Sequence, residues 1–426
     1  MAIDPEELEQ RRMAREQERL RREREQKLLH RRLIIAAAIL VVALIVIVIC
    51  LVTGGNKDDL PEDETAPAQT VAMLKPADPD DEETVIHFAA AGDFNVTDKV
   101  VASCGPNYDY MPLIADVMPL LAEADLTTLN FEGNIGGEPY GSANSSAPAQ
   151  VLGALATAGV DMMQVANSCC IDNGQMGLES TISTIRSAGI EPLGAYPTEK
   201  AFREHGGYTI WEVKGVRIAV VAFTKGMNNT AMPENFAGYV NLLYTDYSSK
   251  YAEVDEDGIT SVLKRIKKEK PDITIALLHW GSEFNDTHSK SQERIKNLML
   301  ENGVNAIIGT HPHYVQEIDY SRSDNTLVAY SLGDFVGDGE RMGTEYSIVL
   351  NIEITKDNKT GKTRITGYSY TPIYTHQNED GILRVLRIDP ALKAYDENYL
   401  DRVSTEVRDA MLNAKQRIEA RVKPKK

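Results

Sequence analysis

The stretch DITIALLHWGSEFNDTHSKSQERIKNLMLENGVNAIIGTHPH, residues 272–313, carries the reading of the fold. Two short apolar runs, DITIALLH (272–279) and VNAIIG (304–309), each deliver histidine at their ends: His279 directly, and His311 and His313 around Pro312. Moving outward, the same kind of run recurs as VIHFAAA (85–91), DLTTLN (125–130), DMMQVAN (161–167), VRIAVVAF (216–223) and LVAYSLG (327–333). Between several of them lie MPLIADVMPLLAEA (111–124) and QVLGALATAG (150–159), where apolar residues repeat at three and four. Short β-rich runs alternating with amphipathic helices predict an α/β domain with partly parallel sheets. After Gly343, the segments 346–357, 363–375 and 382–388 predict antiparallel strands closing the domain, and 396–422 predicts a charged amphipathic helix.

The rest of the chain sets topology. It has 426 residues and a net charge of -18, which argues against binding a phosphate backbone, so no nucleic-acid partner is expected. Four cysteines exclude a disulfide-built scaffold. The uncharged run LIIAAAILVVALIVIVICLV, residues 33–52, is long enough at about 1.5 Å per residue to cross a bilayer core. Ten Lys/Arg precede it and an acidic stretch follows, so the positive-inside rule puts residues 1–32 in the cytoplasm and the remainder outside. A cleaved signal peptide is the competing reading, disfavoured by the length of the run. Residues 53–84, with ten acidic residues, two lysines and four prolines, predict a disordered tether. The charge divides into +2 on residues 1–32, -8 on the tether and -12 beyond it. The expected order is a charged cytoplasmic helix (1–32), a transmembrane helix (33–52), the tether (53–84), the domain (85–389) and a helical tail (390–426).

Polar residues collect where the apolar runs end. Asp93 follows the first, Asn130 and Glu132 the second, Asn167, Ser168 and Cys169 the third, and the three histidines follow two later runs. In open α/β sheets ligands sit beyond the carboxyl ends of the strands, so these side chains should converge. An Asp, a Glu, an Asn and three His form a donor set for a divalent metal. Each has a plainer reading: His279 as a structural hydrogen-bonding residue, Asp93 as a helix cap, the asparagines as turn residues. Serine-hydrolase, P-loop and zincin motifs (GxSxG, GxxxxGK[ST], HExxH) are absent from the sequence.

AAAGDF (89–94), LNFEGNI (129–135), VANSCCIDNGQMGLEST (165–181), LHWGSEF (278–284), IGTHPHYVQ (308–316) and YSLGDFV (330–336) together resemble the bacterial capsule and poly-γ-glutamate synthesis proteins of the CapA/PgsA type. The resemblance implies a layered α/β sandwich like that of calcineurin-like metallophosphatases. It implies Asp93, Glu132, Ser168, His279, His311 and His313 as ligands of divalent metal (Mn, Fe or Zn). It implies Asp93, Glu132, Asn167, Cys169, His279 and His311 as catalytic residues, and Asn130, Trp280, Glu283, Gln316 and Asp334 as substrate-facing ones. Three positions depart from the family pattern. Ser168 stands where an asparagine is expected, Cys169 where a histidine is expected, and Asp334 where YSLGNF has an amide.

A cysteine cannot reproduce an imidazolium as acid, so the departures leave hydrolysis open. Cys104, Cys169 and Cys170 admit either a disulfide across the site mouth or buried free thiols. The implied function is a membrane-anchored, extracytoplasmic protein in synthesis, export or attachment of an anionic capsule polymer, with a membrane synthase complex as partner and with metal-dependent hydrolase activity undecided. The alternatives are a noncatalytic polymer- or partner-binding subunit and a general cell-envelope phosphoesterase.

Overall fold

Side chains along β8 (Val216–Thr224) alternate between two different cores. Ile218, Val220 and Ala222 enter one apolar cluster, and Ala219, Val221 and Phe223 enter another. A strand sends successive side chains to opposite faces, so a strand apolar on both belongs to a sheet covered on both. The computed structural model describes residues 70–72, 81–397 and 404–423.

Two sheets make up the domain. One runs β1 (Thr70–Ala72), β7 (Tyr208–Val213), β8, β10 (Ile273–His279), β11 (Ala306–Thr310), β13 (Thr326–Ala329), β12 (Ile318–Ser321). The other runs β17 (Leu383–Arg387), β16 (Thr363–Gln377), β15 (Tyr346–Asp357), β2 (Glu83–Asn95), β3 (Leu126–Glu132), β4 (Met162–Gln164), β5 (Glu191–Leu193), with β14 (Asp334–Val336) also paired to β2. A separate pair joins β6 (Ala195–Tyr196) to β9 (Tyr239–Val240). Strands β8, β10, β11 and β13 of the first sheet and β2 to β5 of the second are parallel; antiparallel pairs flank the first run at β7 and β12 and the second run on one side, at β15, β16 and β17.

Ile86, Phe88 and Ala90 of β2 meet Ile273, Ile275 and Leu277 of β10 in the layer between the sheets. Helices Glu256–Lys268 and Lys290–Glu301 cover the outer face of the first sheet through Ile259, Leu263, Ile295 and Met299. Helices Gln150–Thr157 and Gly174–Ser187 cover the second through Leu152, Leu155, Leu178 and Ile182. Four layers result, helix, sheet, sheet, helix, in agreement with the α/β class expected from the runs and with the layered sandwich implied by the family resemblance. The helix within the opening stretch starts at a capping box, with Ser289 and Gln292 satisfying each other's backbone donors.

Two expectations change. Thr70–Ala72, inside the expected tether, pairs in parallel with Ile210–Glu212, and β2 begins at Glu83. An edge strand is held by main-chain hydrogen bonds, for which a three-residue piece needs no apolar period. The expected tail is not separate from the domain. After helix Ile388–Asp396, helix Thr405–Arg421 buries Met411, Ala414 and Ile418 in the layer between the sheets, alongside Ile365 and Leu386. The expected membrane span at 33–52 and the charged segment before it lie outside the described residues. Among the described residues no helix is long and apolar enough to cross a membrane.

Candidate metal centre

The carboxyl ends of β2, β3, β4, β8, β10 and β11 meet at one place, and close backbone approaches hold them there. A Cβ on Gly92 would lie 1.8 Å from the Gly333 carbonyl, to which the Asp93 amide donates at 3.0 Å. A Cβ on Gly309 would lie 2.0 Å from the Tyr330 carbonyl. Only glycine permits either approach.

Asp93 is fully buried. Its Oδ1 accepts from Asn130 Nδ2 at 2.6 Å and its Oδ2 from the His311 amide at 3.0 Å. Burial nevertheless pushes its carboxyl up to about 6, against the pull of the nearby His313 charge. Glu132 is held well above the usual carboxylate range by burial and then by Asp93, and its Oε2 has no hydrogen-bond partner among the described residues.

His279 places Nδ1 3.2 Å from Thr310 Oγ1 and 3.4 Å from Asn130 Nδ2. Its Nε2 lies 2.9 Å from Ser168 Oγ and 3.5 Å from Glu132 Oε1. Burial, helped by the His313 and Lys225 charges, holds His279 well below the ordinary histidine range, which favours the neutral, ligating form. His311 is lowered likewise by burial, then by His279 and Lys225, and its Nδ1 has no partner among the described residues. His313 is the exception. Burial opposes its charge, but Asp334, whose Oδ1 accepts from Nδ1 at 2.7 Å, together with Glu132 and Asp93, outweighs burial and raises it well above the ordinary value.

His311 and His313 both adopt left-handed backbone, at φ 90° and 59°. Such conformations cost energy in a residue with a Cβ, and the surrounding fold holds them where the site needs them.

Three overlapping sets each bring their donor atoms within 4.8 Å: Asp93, Glu132 and His279; Glu132, His311 and His313; Asp93, His313 and Asp334. Buried carboxylates driven toward protonation, neutral imidazoles and two unpartnered donor atoms fit a divalent cation, whose charge would relieve all three.

The other expected residues divide. Asn130 links Asp93 to His279 and orients both. Asn167 spends its whole side chain internally, donating to Asn130 Oδ1 and the Phe131 carbonyl and accepting from the Cys169 amide, which makes it a brace. The Ser168 hydroxyl engages His279 Nε2 at 2.9 Å. Cys169 is held as a thiol, well above its usual range, by burial and the Glu132 and Asp172 carboxylates. Cys104, Cys169 and Cys170 are all free and buried, so the structure contains the thiols and not the bridge.

Trp280 and Gln316 do not face the site. Trp280 is fully buried, donates to the Tyr330 carbonyl at 2.9 Å and stacks on that ring. Gln316 is buried between Gln292 and the Asn285 carbonyl. A long side chain next to a site residue in sequence points to the opposite face when the backbone is extended.

Sequence reasoning missed Lys225. It follows the run VRIAVVAF as the expected site residues follow theirs, so the same strand-end rule would have found it. Its Nζ donates to the Gly281 carbonyl at 2.8 Å and lies 3.3 Å from His311 Nε2.

A family profile described as bacterial capsule synthesis protein PGA_cap matches residues 87–339, more than half of the chain, and takes in every residue of the three donor sets. The chain belongs to the PGA_cap family. Among curated relatives of this PGA_cap protein, the capsule biosynthesis protein CapA of Bacillus anthracis is 26% identical over 272 residues, covering 62% of this chain and 61% of the relative. The PGA biosynthesis protein CapA of Bacillus subtilis is 26% identical over 216 residues, 51% of each. The match therefore spans between half and three fifths of these relatives. Of solved structures, a calcineurin-like phosphoesterase from Bacillus subtilis is similar at a TM-score of 0.41 and 12% identity, over 75% of this chain and 98% of that one. A phosphatase from Mycoplasma pneumoniae gives 0.39 and 11%, over 68% and 94%.

Proposed function

We propose that this PGA_cap protein is anchored by residues 33–52 with its domain outside the cytoplasm, and that its strand-end site acts on an anionic capsule polymer, poly-γ-glutamate, as a divalent-metal-dependent hydrolase. The observation carrying the catalytic reading is the buried convergence of Asp93, Glu132, His279, His311 and His313, with Glu132 Oε2 and His311 Nδ1 left without partners. Those five residues would hold the metal. When bound, a divalent ion supplies an activated water and polarises the bond under attack. The chain's own groups set that up: Asn130 orients Asp93 and His279, Asn167 braces the loop beneath them, and burial excludes bulk water.

The proton for a leaving group is the weak point. Cys169 remains a thiol and Ser168 is tied to His279, so neither replaces the histidine of the family pattern. That observation favours a second reading, a metal-holding subunit that binds polymer, or a synthase partner, without cleaving it. Metal content by mass spectrometry, with turnover on a phosphodiester and on γ-linked polyglutamate, separates the readings. Bound metal with turnover lost in His311→Ala supports the hydrolase; bound metal without turnover selects the binding subunit. Turnover of phosphoesters alone selects a cell-envelope phosphoesterase, and absence of metal overturns the metal site. Protease protection in sealed vesicles tests the anchor, which predicts a shielded N-terminus and an accessible domain.

A further inference from the structure

Beside the metal cluster lies a cleft of about 240 Å³ lined by Ser168, Lys225, Asn229, Tyr251, Glu283 and His311, among others. At that size, below the range of drug-sized pockets, it admits one residue-sized unit. Lys225 stands where the cleft meets the cluster, 3.3 Å from His311 Nε2 and 4.4 Å from the centroid of the Tyr251 ring. Among the described residues no carboxylate forms an ion pair with it; its hydrogen bonds go to the Gly281 carbonyl and His311. A half-buried ammonium whose hydrogen bonds go to neutral acceptors has lost water with only partial compensation, from the Glu283 carboxylate that acts on it across the cleft without forming an ion pair. An arriving anion completes that compensation.

We propose that Lys225 is a substrate-binding residue: its ammonium holds a carboxylate of the unit that occupies this cleft, next to the metal cluster. This rests on the reading of the site as one that meets an anionic polymer, and it names the group recognised. Glu283 lines the same cleft, so its charge opposes a dianionic phosphate more strongly than a carboxylate with a single charge. The cleft therefore discriminates in favour of polycarboxylates. It also answers how a chain of net charge -18 approaches a polyanion: through one local cation placed at the reacting end.

The test is equilibrium binding of a γ-linked oligoglutamate to the metal-loaded full chain, with the methyl-esterified oligomer and polyphosphate as comparison ligands. Lys225→Met should weaken oligoglutamate binding by about tenfold or more, the scale of a lost charge-assisted hydrogen bond. Lys225→Arg should restore most of it, and metal content and melting temperature should stay at wild-type values in both. The ester should bind poorly to every form. Equal binding by wild type and Lys225→Met overturns the proposal, as does equal binding of ester and acid, or wild-type preference for polyphosphate. Binding is read without turnover, so Lys225-dependent binding by an inactive chain would sink the hydrolase reading and leave this one standing. Turnover with binding indifferent to Lys225 would do the reverse.

Discussion

The two sheets bring different chemistry to the same cluster. From the sheet containing β2, β3, β4 and β14 come Asp93, Asn130, Glu132, Asn167, Ser168, Cys169 and Asp334, which are carboxylates, amides and small weak acids. From the sheet containing β8, β10 and β11 come Lys225, His279, His311 and His313, which are bases. Hydrogen bonds cross the seam from the His311 amide to Asp93 Oδ2, and between Asn130 and His279 and between Ser168 and His279, so neither half is complete alone. All three departures from the family pattern, at Ser168, Cys169 and Asp334, fall on the sheet containing β2 or the loop leaving it. The imidazole half keeps the pattern. The comparison teaches that the imidazole donors persist on one side, while on the other both a donor position, Asp334, and the positions that would handle a proton have changed.

Breaking the acidic half should have the largest effect. Asp93→Ala removes a donor shared by two of the three sets and frees both Asn130 and the His311 amide. Metal affinity, measured by competition with a chelator, should fall by more than about a hundredfold, beyond the loss usual for residues that merely orient ligands. Restoring the proton chemistry should sharpen the contrast in the other direction. If the altered half limits hydrolysis, Ser168→Asn with Cys169→His should raise turnover on a phosphodiester by about 10²-fold or more, the scale of a positioned general acid. Unchanged turnover at full metal content would show that the limit lies elsewhere.

A smaller effect follows from pH. Asp93 ionises at about 6 in the fold against an ordinary 3.8, so between those values the folded chain binds more protons than the unfolded one. This carboxyl's contribution to the stability of metal-free protein therefore declines as pH rises from about 4 to about 6. Because metal competes with that proton, Asp93's share of the apparent metal affinity should weaken as pH falls below about 6. His313, held well above the ordinary histidine value, adds a loss that sets in at higher pH, seen in titrations that begin above neutrality. Smallest at the site is Trp280→Phe. It leaves the Tyr330 carbonyl without its indole donor, costing about 1–3 kcal/mol of stability by denaturant titration, with metal content unchanged. Loss of metal in that variant would place Trp280 in the site after all.

Much of the architecture could be read from local pattern. The apolar runs at 216–223, 272–279 and 304–309 became central parallel strands, and 346–357, 363–375 and 382–388 became the antiparallel margin. Less legible was what each polar residue at a strand end would do. Asn130 and Asn167 look alike in sequence, yet one joins the two halves of the cluster and the other braces a loop. Trp280 and Gln316 sit in motifs beside site residues and point away from the site. Thr70–Ala72 carries no apolar pattern because its partner is the backbone of β7.

The sequence by itself determined the α/β class, the ordered motifs of the family and the residue types available for a metal, since period and spacing are local properties. Tertiary structure alone decided which of those residues meet, that Cys169 stays a buried thiol, that the last helix completes the layer between the sheets, and that Lys225 joins His311 at a cleft. These depend on burial and on contacts between residues far apart in sequence, 218 positions in the case of Asp93 and the His311 amide. No window of sequence carries the desolvation that sets their charge or the neighbours that absorb it.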